Sequence, residues 1–346
     1  MNFSLYPVTW LASDLDLEPF DTGRLPFEIA DGVCIESVKD HFPEGSFDLW
    51  KERIGGSAVD ALSRIRFALV HRYDPRPIMV DGVLLGEQIR SSDSERLVRM
   101  YAACLRLIRP MRERTYLIHG RVRGEDGSFD VQGFDVPSVE LMEVPEVQKL
   151  FKLRTRDAED LRAYISGFLR AMRGDFWKFR MAVQFYGLGH FQHLDWRARY
   201  LLWCSAIESI YTSHQWEHRG SLVAASRIKW FLGEKTSIYA PGDLSDSLDD
   251  PDITVGRIVY DLYEMRNFMA HGDRIPNEYF TDHLRQGLNG GVTKAEVLLE
   301  AASFIVRTSL LKILRDNLLH HFADAAPAET YFGMQGLTKS ALRRRQ

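Results

Sequence analysis

The hydrophobic pattern of the chain changes its period near residue 155, and this change constrains the fold more than any other feature. Before it, short β-prone runs alternate with helical stretches. After it, apolar residues recur at the three- and four-residue spacing of helices throughout. We therefore predict an α+β domain over residues 1–152, an all-α helical bundle over residues 153–325 and a C-terminal tail over residues 326–346.

Turn signals define the elements of the first part. The Asp-Gly pairs at positions 31–32 and 81–82 each stand between two apolar runs, which predicts strands on both sides of each pair. A third strand–turn–strand pattern surrounds residues 125–127. Helices are predicted over residues 57–72 and 93–109, where apolar side chains share one stripe.

The second part is predicted to consist of helices that pack as a bundle. Five of the seven tryptophans fall between Trp177 and Trp230, which suits the core of a helical bundle. The acidic stretch 243–252 lies between two helices and is read as a solvated loop or a mobile gate. The predicted helices cover residues 156–173, 175–187, 194–213, 218–232, 253–271 and 293–322.

Composition removes several classes of protein. The net charge of −4 argues against a nucleic-acid binder that works by bulk electrostatics. There is no window of eighteen apolar residues, so no membrane span is expected. The N-terminus does not read as a signal peptide, and the three cysteines fit neither a disulfide framework nor a zinc spacing. We therefore expect a cytoplasmic protein with reduced thiols.

An arginine five residues before a histidine occurs four times in the chain, so this spacing selects nothing by itself. In a strand, such a separation places the two side chains on opposite faces. The four pairs are Arg66/His71, Arg114/His119, Arg266/His271 and Arg315/His320. Features other than the spacing must decide among them.

The pair Arg266/His271 differs from the others in its surroundings. On a helical wheel Arg266 falls within the apolar stripe of its helix, where an unpaired charge is costly. The adjacent Asn267 can orient a phosphate or a neighbouring side chain. Gly272 follows His271 directly and predicts the end of the helix there. The histidine would then lie at the negative end of the helix dipole, which favours its protonated form.

A histidine beside an arginine has a use in RNA cleavage. The reaction deprotonates a 2′-hydroxyl, stabilises charge on phosphorus and protonates the leaving 5′-oxygen. A histidine performs such proton transfers, and an arginine holds the phosphate oxygens. No metal is required by this chemistry. The alternative reading of Arg266 is a structural arginine that pairs with an acid such as Glu208.

Helix geometry complicates a site made by one chain. Residues i and i+5 are about 140° apart on a regular helix, because each residue turns the chain by about 100°. Either the helix distorts at its end, or two copies of the chain face each other and form a composite site. The second option predicts a homodimer whose activity requires dimerisation.

The sequence resembles the HEPN superfamily, and within it the Apea-like branch. The segment YEMRNFMAHG, residues 263–272, is similar to that family's Arg-polar-x3-His motif followed by glycine. The segment YLLWCSAIESIYTS, residues 200–213, resembles an earlier helix of the family, and LVAASRIKWFLG, residues 222–233, fits between them. The resemblance covers about residues 157–322.

The resemblance implies a dimeric helical bundle, often a metal-independent endoribonuclease in anti-phage defence, toxin–antitoxin systems or RNA surveillance. By position, Arg266 and His271 would be catalytic, Asn267 would support them, and Glu208 would orient one of them. The implied partner is RNA, with no cofactor. The N-terminal domain would then select the substrate or sense a trigger, such as a protein or a phage-derived molecule.

Other readings stay open. Some members of the superfamily lack activity, so a non-catalytic dimerisation or RNA-binding module is the main alternative. A nucleotide-modifying enzyme ranks last, since no nucleotidyltransferase motif is found. The pairs His190/His193 and His214/His218 could hold a metal, but no third ligand completes a set. Residues 175–180 and 343–345 could touch RNA, although core packing and a solvated terminus explain them as well.

Overall fold

The computed structural model describes most of the residues that form the predicted elements. The chain divides into two compact units, Met1–Ser166 and Gly167–Gln346, and each unit is described separately below. The described ranges are 2–9, 22–30, 32–37, 41–42, 51–52, 67–74, 76–80, 83–88, 91–109, 117–122, 128–135, 154–190, 194–213, 220–238, 253–287 and 290–333.

The first unit contains an antiparallel sheet of six strands in the order β2-β3-β4-β1-β7-β8. A separate hairpin is formed by β5 and β6. Helix α1 packs against the central strands β1 and β4. The elements are β1 Asn2–Thr9, β2 Phe27–Ala30, β3 Val33–Ser37, β4 Phe67–Tyr73, β5 Arg76–Val80, β6 Val83–Gln88, α1 Ser91–Ile108, β7 Leu117–Val122 and β8 Phe129–Asp135.

The three strand pairs that the turn signals predict are confirmed. Strands β2 and β3, β5 and β6, and β7 and β8 are each antiparallel neighbours. The predicted helix at 93–109 is confirmed as α1. Asp31, Asp81, Gly82 and the predicted turn at 125–127 lie outside the described residues.

The helix predicted over residues 57–72 is wrong at its C-terminal end. Residues Phe67–Tyr73 form the strand β4, and residues 57–66 lie outside the described ranges. The first four residues of β4 are all buried, and the strand lies inside the sheet between β3 and β1. Such a continuous apolar run has no alternation, so periodicity does not separate a buried strand from a helix.

The second unit is built mainly from helices, which confirms the helical character predicted for this part. It begins within α2, so the border between the two compact units falls inside a helix rather than at residue 152. The helices are α2 Thr155–Arg173, α3 Trp177–Leu188, α4 Trp196–Tyr211, α5 Gly220–Leu232, α6 Val255–His271, α7 Glu278–Thr281, α8 Lys294–Arg315 and α9 Ala325–Phe332, with a 3-10 turn at Leu319–Phe322.

The prediction that this part is purely α-helical is wrong in one place. An antiparallel hairpin of β9, His283–Gly287, and β10, Gly290–Thr293, stands between α7 and α8. Glycines cluster at its turn, which is a hairpin signal that the helical periodicity on both sides obscured. Helix α8 begins directly after β10, with a capping box between Thr293 and Glu296.

The folded part also extends beyond the predicted start of the tail at residue 326. Helix α9 continues to Phe332, and the side chain of Arg227 on α5 forms an ion pair with Glu329 on α9. Arg227 is only 1% exposed, so the pair fixes α9 to the bundle from inside. Phe231 and Phe332 make an edge-to-face contact beside it. Residues 334–346 lie outside the described part of the chain.

Helix α4 lies at the centre of the bundle, where it packs against α3, α5, α6 and α8. Its buried tyrosines use their hydroxyls to connect neighbouring helices. Tyr200 donates a hydrogen bond of 2.7 Å to the carbonyl of Leu262 on α6. The hydroxyl of Tyr211 lies 2.6 Å from that of Ser309 on α8. The Tyr200 contact fixes the position of α4 against α6, which carries the Arg-x4-His motif, and the Tyr211 contact fixes it against α8.

Among the described residues, none of the helices combines the length and the apolar character that crossing a bilayer requires.

Candidate functional site

The motif helix α6 ends where its sequence predicts. Gly272 adopts a left-handed conformation with φ of 73°, which a glycine tolerates better than other residues. Its N–H donates to the carbonyl of Met269, and the N–H of Asp273 donates to that of Phe268. This pair of bonds is a Schellman motif, and it places His271 at the last helical position. The predicted helix end is therefore confirmed.

The segment after the helix end folds back on α6. The hydroxyl of Tyr279 donates a hydrogen bond of 2.6 Å to Glu264, and its ring makes an edge contact with Phe268. The ammonium of Lys294 lies 3.1 Å from Asp261 and 4.3 Å from the centroid of the Tyr279 ring. These contacts hold the helix terminus that presents His271.

Arg266 forms the centre of a polar cluster between α6 and α4. Its Nη2 donates to Glu208, at 3.0 Å from Oε1 and 3.1 Å from Oε2. Its Nη1 donates a bond of 3.3 Å to Oδ1 of the adjacent Asn267. The structure therefore brings together three of the four predicted site residues, and both predicted polar neighbours of Arg266 contact its guanidinium.

Arg266 is half-buried rather than enclosed by the apolar stripe. Its side chain is 28% exposed and that of Glu208 is 26% exposed, so the ion pair lies at the border of the core. The stripe itself is formed by residues whose side chains are buried. They are Val255, Ile258, Val259, Leu262, Tyr263 and Met265.

The face of α4 beside the ion pair carries three polar groups one turn apart. Tyr200, Cys204 and Glu208 follow at spacings of four residues, so they share one face of the helix. On α6, Tyr263 precedes Arg266 by three residues and therefore occupies the same side of that helix. The hydroxyl of Tyr263 is buried and has no hydrogen-bond partner among the described residues.

Burial dominates the electrostatics of this region. It raises the pKa of the Glu208 carboxyl, and the charge of Arg266 opposes that rise. Burial also raises the pKa of the Tyr263 phenol well above its usual range, with a further contribution from the negative charge of Glu208. The same effect raises the pKa of the Cys204 thiol. A buried thiol of this kind stays protonated and is a poor nucleophile.

His271 is placed apart from the other three residues. Its side chain is exposed to solvent, and among the described residues it makes no hydrogen bond or ion pair. Arg266 and His271 are five residues apart on a helix that stays regular up to His271, so the helix does not distort to bring them together. Of the two arrangements predicted for the motif, a site within one chain by helix distortion is thus not observed.

The other Arg-x4-His pairs have different surroundings. His71 lies on strand β4 with its Nδ1 at 2.7 Å from the hydroxyl of Ser94, and His119 lies on β7 near Glu95. Arg315 donates to its neighbour Asp316, and the ring of His320 makes a tilted contact with that of His321. Arg66 and Arg114 lie outside the described residues. None of these contacts resembles the cluster around Arg266.

The histidine pairs considered as metal ligands are only partly described. His190 is buried against the rings of Tyr186 and Trp203. His193, His214 and His218 lie outside the described residues. Within the described ranges, no group of three or more histidine, cysteine, aspartate or glutamate side chains could hold a metal ion.

Tyr263 and Cys204 lie next to the Arg266 cluster, and the sequence motif did not predict either of them as a site residue. The spacing of Tyr263, one turn before Arg266, was a usable signal. Cys204 bears the same relationship to Glu208. Their proximity to each other depends on how α4 and α6 pack, which sequence spacing does not specify.

Comparisons of the chain with protein-family models, with curated proteins and with solved structures give no match. The fold alone therefore assigns the protein only to a broad structural class. It consists of a mixed α+β unit followed by a mainly helical unit with a polar cluster between two of its helices.

Proposed function

We propose that the chain is a metal-independent endoribonuclease of the HEPN type, acting in the cytoplasm in anti-phage defence or a toxin-like stress response. The observation that supports this most is that Arg266 contacts both Asn267 and, across the interface with α4, Glu208, on the helix whose last residue is the exposed His271. The Arg-Asn-x3-His-Gly motif thus has a polar cluster and an exposed imidazole on the helix that carries it.

In this proposal Arg266 binds the nonbridging oxygens of the scissile phosphate. A guanidinium offers two parallel N–H donors to an oxyanion, and Asn267 orients one of its nitrogens. The 2′-oxygen attacks phosphorus and loses its proton to a base. The 5′-oxygen leaves with a proton from an acid. The products are a 2′,3′-cyclic phosphate and a 5′-hydroxyl.

The geometry favours a site shared by two chains. The base and the acid act on opposite sides of the phosphorus, so the reaction uses two proton-transfer groups. One regular helix presents one exposed His271, about 140° around the axis from Arg266. A homodimer with paired α6 termini supplies two histidines and two arginines. The N-terminal unit would select RNA or sense a protein or phage-derived trigger.

The direct test is a cleavage assay on the purified full chain with single-stranded RNA in excess EDTA. The proposal expects cleavage to persist in EDTA and the 3′ ends to carry a cyclic phosphate. Mixing inactive His271→Ala chains with wild-type chains should lower the activity per wild-type chain, because a mixed dimer supplies only one of the two histidines that the shared site uses. Loss of cleavage in EDTA contradicts the proposed chemistry.

One observation favours a second candidate, a non-catalytic dimerisation or RNA-binding module. Glu208 already neutralises Arg266 within the chain, as a purely structural ion pair would. For such a module, His271→Ala leaves function and folding unchanged. Arg266→Ala then lowers only thermal stability, and the wild-type chain binds RNA without cutting it.

A further inference from the structure

The hydroxyl of Tyr263 is an unusual group in the interior of the bundle. The residue is 3% exposed, and its hydroxyl has no hydrogen-bond partner among the described residues. Two other buried tyrosines of the same bundle do have partners: Tyr200 donates to Leu262, and Tyr211 pairs with Ser309. Because buried polar groups are rarely left without a partner, Tyr263 needs an explanation.

Tyr263 lies beside an ion pair that must open if Arg266 is to bind a phosphate. It precedes Arg266 by one helical turn, and the charges of Glu208 and Arg266 both act on its phenol. In the resting chain Nη2 of Arg266 contacts both oxygens of Glu208. A carboxylate and a phosphate present similar pairs of oxygens to a guanidinium, so Glu208 occupies donors that a substrate would need.

Opening the ion pair leaves Glu208 in a difficult position. Its side chain is only 26% exposed, so water cannot fully replace the guanidinium. Cys204, one turn away on the same helix, offers only a weak S–H donor. The Tyr263 phenol is buried, lies one helical turn from Arg266 and has no hydrogen-bond partner among the described residues, so it is the better donor for the released carboxylate.

We propose that Tyr263 is a positioning residue whose hydroxyl donates to the Glu208 carboxylate when the Arg266 guanidinium turns from Glu208 to an oxyanion. Glu208 thereby alternates between two donors. This inference rests on the proposed function for the identity of the oxyanion, an RNA phosphate. The exchange itself can be followed with inorganic phosphate, which needs no cleavage.

The test uses Tyr263→Phe, which removes only the hydroxyl, and Tyr211→Phe as its matched control. Phosphate is titrated into the full chain while the carboxyl ¹³C signal of Glu208 is followed, with the signal assigned by its loss in Glu208→Gln. Arg266→Ala shows how much of the binding depends on the guanidinium.

We expect Tyr263→Phe to keep the melting temperature of the wild type, because its hydroxyl has no partner to lose, and to weaken phosphate binding by roughly tenfold. The change in the Glu208 carboxyl ¹³C chemical shift on addition of phosphate should also differ between Tyr263→Phe and the wild type. Tyr211→Phe should melt earlier, since it loses a bond of 2.6 Å, and should bind phosphate normally. Wild-type phosphate affinity in Tyr263→Phe, or binding that does not need Arg266, overturns the inference.

The outcomes also separate this inference from the proposed function. If the wild-type chain cuts no RNA but Tyr263→Phe weakens Arg266-dependent phosphate binding, the exchange stands and the ribonuclease proposal falls. If the chain cuts RNA and Tyr263→Phe changes neither phosphate binding nor kcat/KM, the ribonuclease proposal stands and the exchange is wrong.

Discussion

The Arg266 guanidinium lies 3.0 Å from the Glu208 carboxylate, across the interface between two helices of the bundle. Neither side chain is fully hydrated, because about three quarters of each is buried. The pair therefore stabilises the fold, and it also keeps the guanidinium at the border of solvent. Both roles can be tested, the first by stability and the second by activity.

We expect Arg266→Ala to lower the free energy of unfolding by about 1–3 kcal/mol at neutral pH, because it leaves a half-buried carboxylate without its partner. Burial already raises the pKa of Glu208, and the loss of Arg266 raises it further. A carboxyl whose pKa is higher in the folded state contributes stability below its unfolded pKa and loses it as the pH rises. Urea unfolding from about pH 4 to about pH 7 should show a penalty that grows with pH.

The control for this prediction is the double variant Arg266→Ala/Glu208→Gln. It removes the carboxylate together with the guanidinium, so the extra dependence on pH should disappear. A penalty of equal size at every pH would mean that Arg266 stabilises the bundle through packing alone.

Lys178 should make the free energy of unfolding depend on pH in the alkaline range as well. It lies on α3 and is buried against the C-terminal end of α4, where its Nζ donates to the carbonyls of Ser209 and Thr212. Burial lowers the pKa of Lys178 to about 8 from 10.5. Between these two values the unfolded chain holds a proton that the folded chain releases, so stability should rise with pH, by at most about 1.4 kcal/mol per unit.

The measurement is denaturant unfolding of the wild type and Lys178→Met from about pH 7.5 to about pH 10. The wild type should gain stability relative to the variant across this range. Parallel curves for the two proteins would show that Lys178 keeps an ordinary pKa in the fold.

The ion pair between Arg227 and Glu329 should matter more for stability than any surface pair. Arg227 also donates to the carbonyl of Tyr211, so three helices meet at its guanidinium. Removing one partner leaves the other charge buried, and Glu329→Gln is expected to cost roughly 3 kcal/mol of unfolding free energy. Thermal and denaturant unfolding measure this cost.

Arg315→Ala is the matched control for that variant. Its guanidinium is 61% exposed and pairs with Asp316 at the surface, where ion pairs contribute little. The variant should unfold within about 0.5 kcal/mol of the wild type. Equal effects of the two substitutions would mean that α9 is not anchored by Arg227.

The sequence predicted those elements that are bordered by clear turn residues or by a glycine at a helix end. The two Asp-Gly pairs and the turn pattern at 125–127 identified the three strand pairs, and Gly272 identified the end of α6. The strand β4 was missed because its first four residues are all buried, which removes the alternation that identifies a strand. The hairpin of β9 and β10 was missed because helices surround it on both sides.

The candidate site shows the same division between local and tertiary information. Asn267 and Gly272 are neighbours of the motif in sequence, and their contacts follow from that. Glu208 was proposed as a partner of Arg266 by family resemblance and by charge, and the two do pair in the structure. The sequence could not single out Tyr263, because only the packing of α4 on α6 shows that its hydroxyl is buried without a hydrogen-bond partner among the described residues.

The measurement that tests the central claim most directly is the rate of RNA cleavage in EDTA by four variants of the full chain. His271→Ala and Arg266→Ala remove the proposed acid–base group and phosphate clamp. Arg315→Ala and His320→Ala remove a pair with the same spacing elsewhere in the bundle. The proposal predicts losses of at least about 100-fold for the first two variants and wild-type rates for the other two. Cleavage at the wild-type rate by both His271→Ala and Arg266→Ala would contradict it.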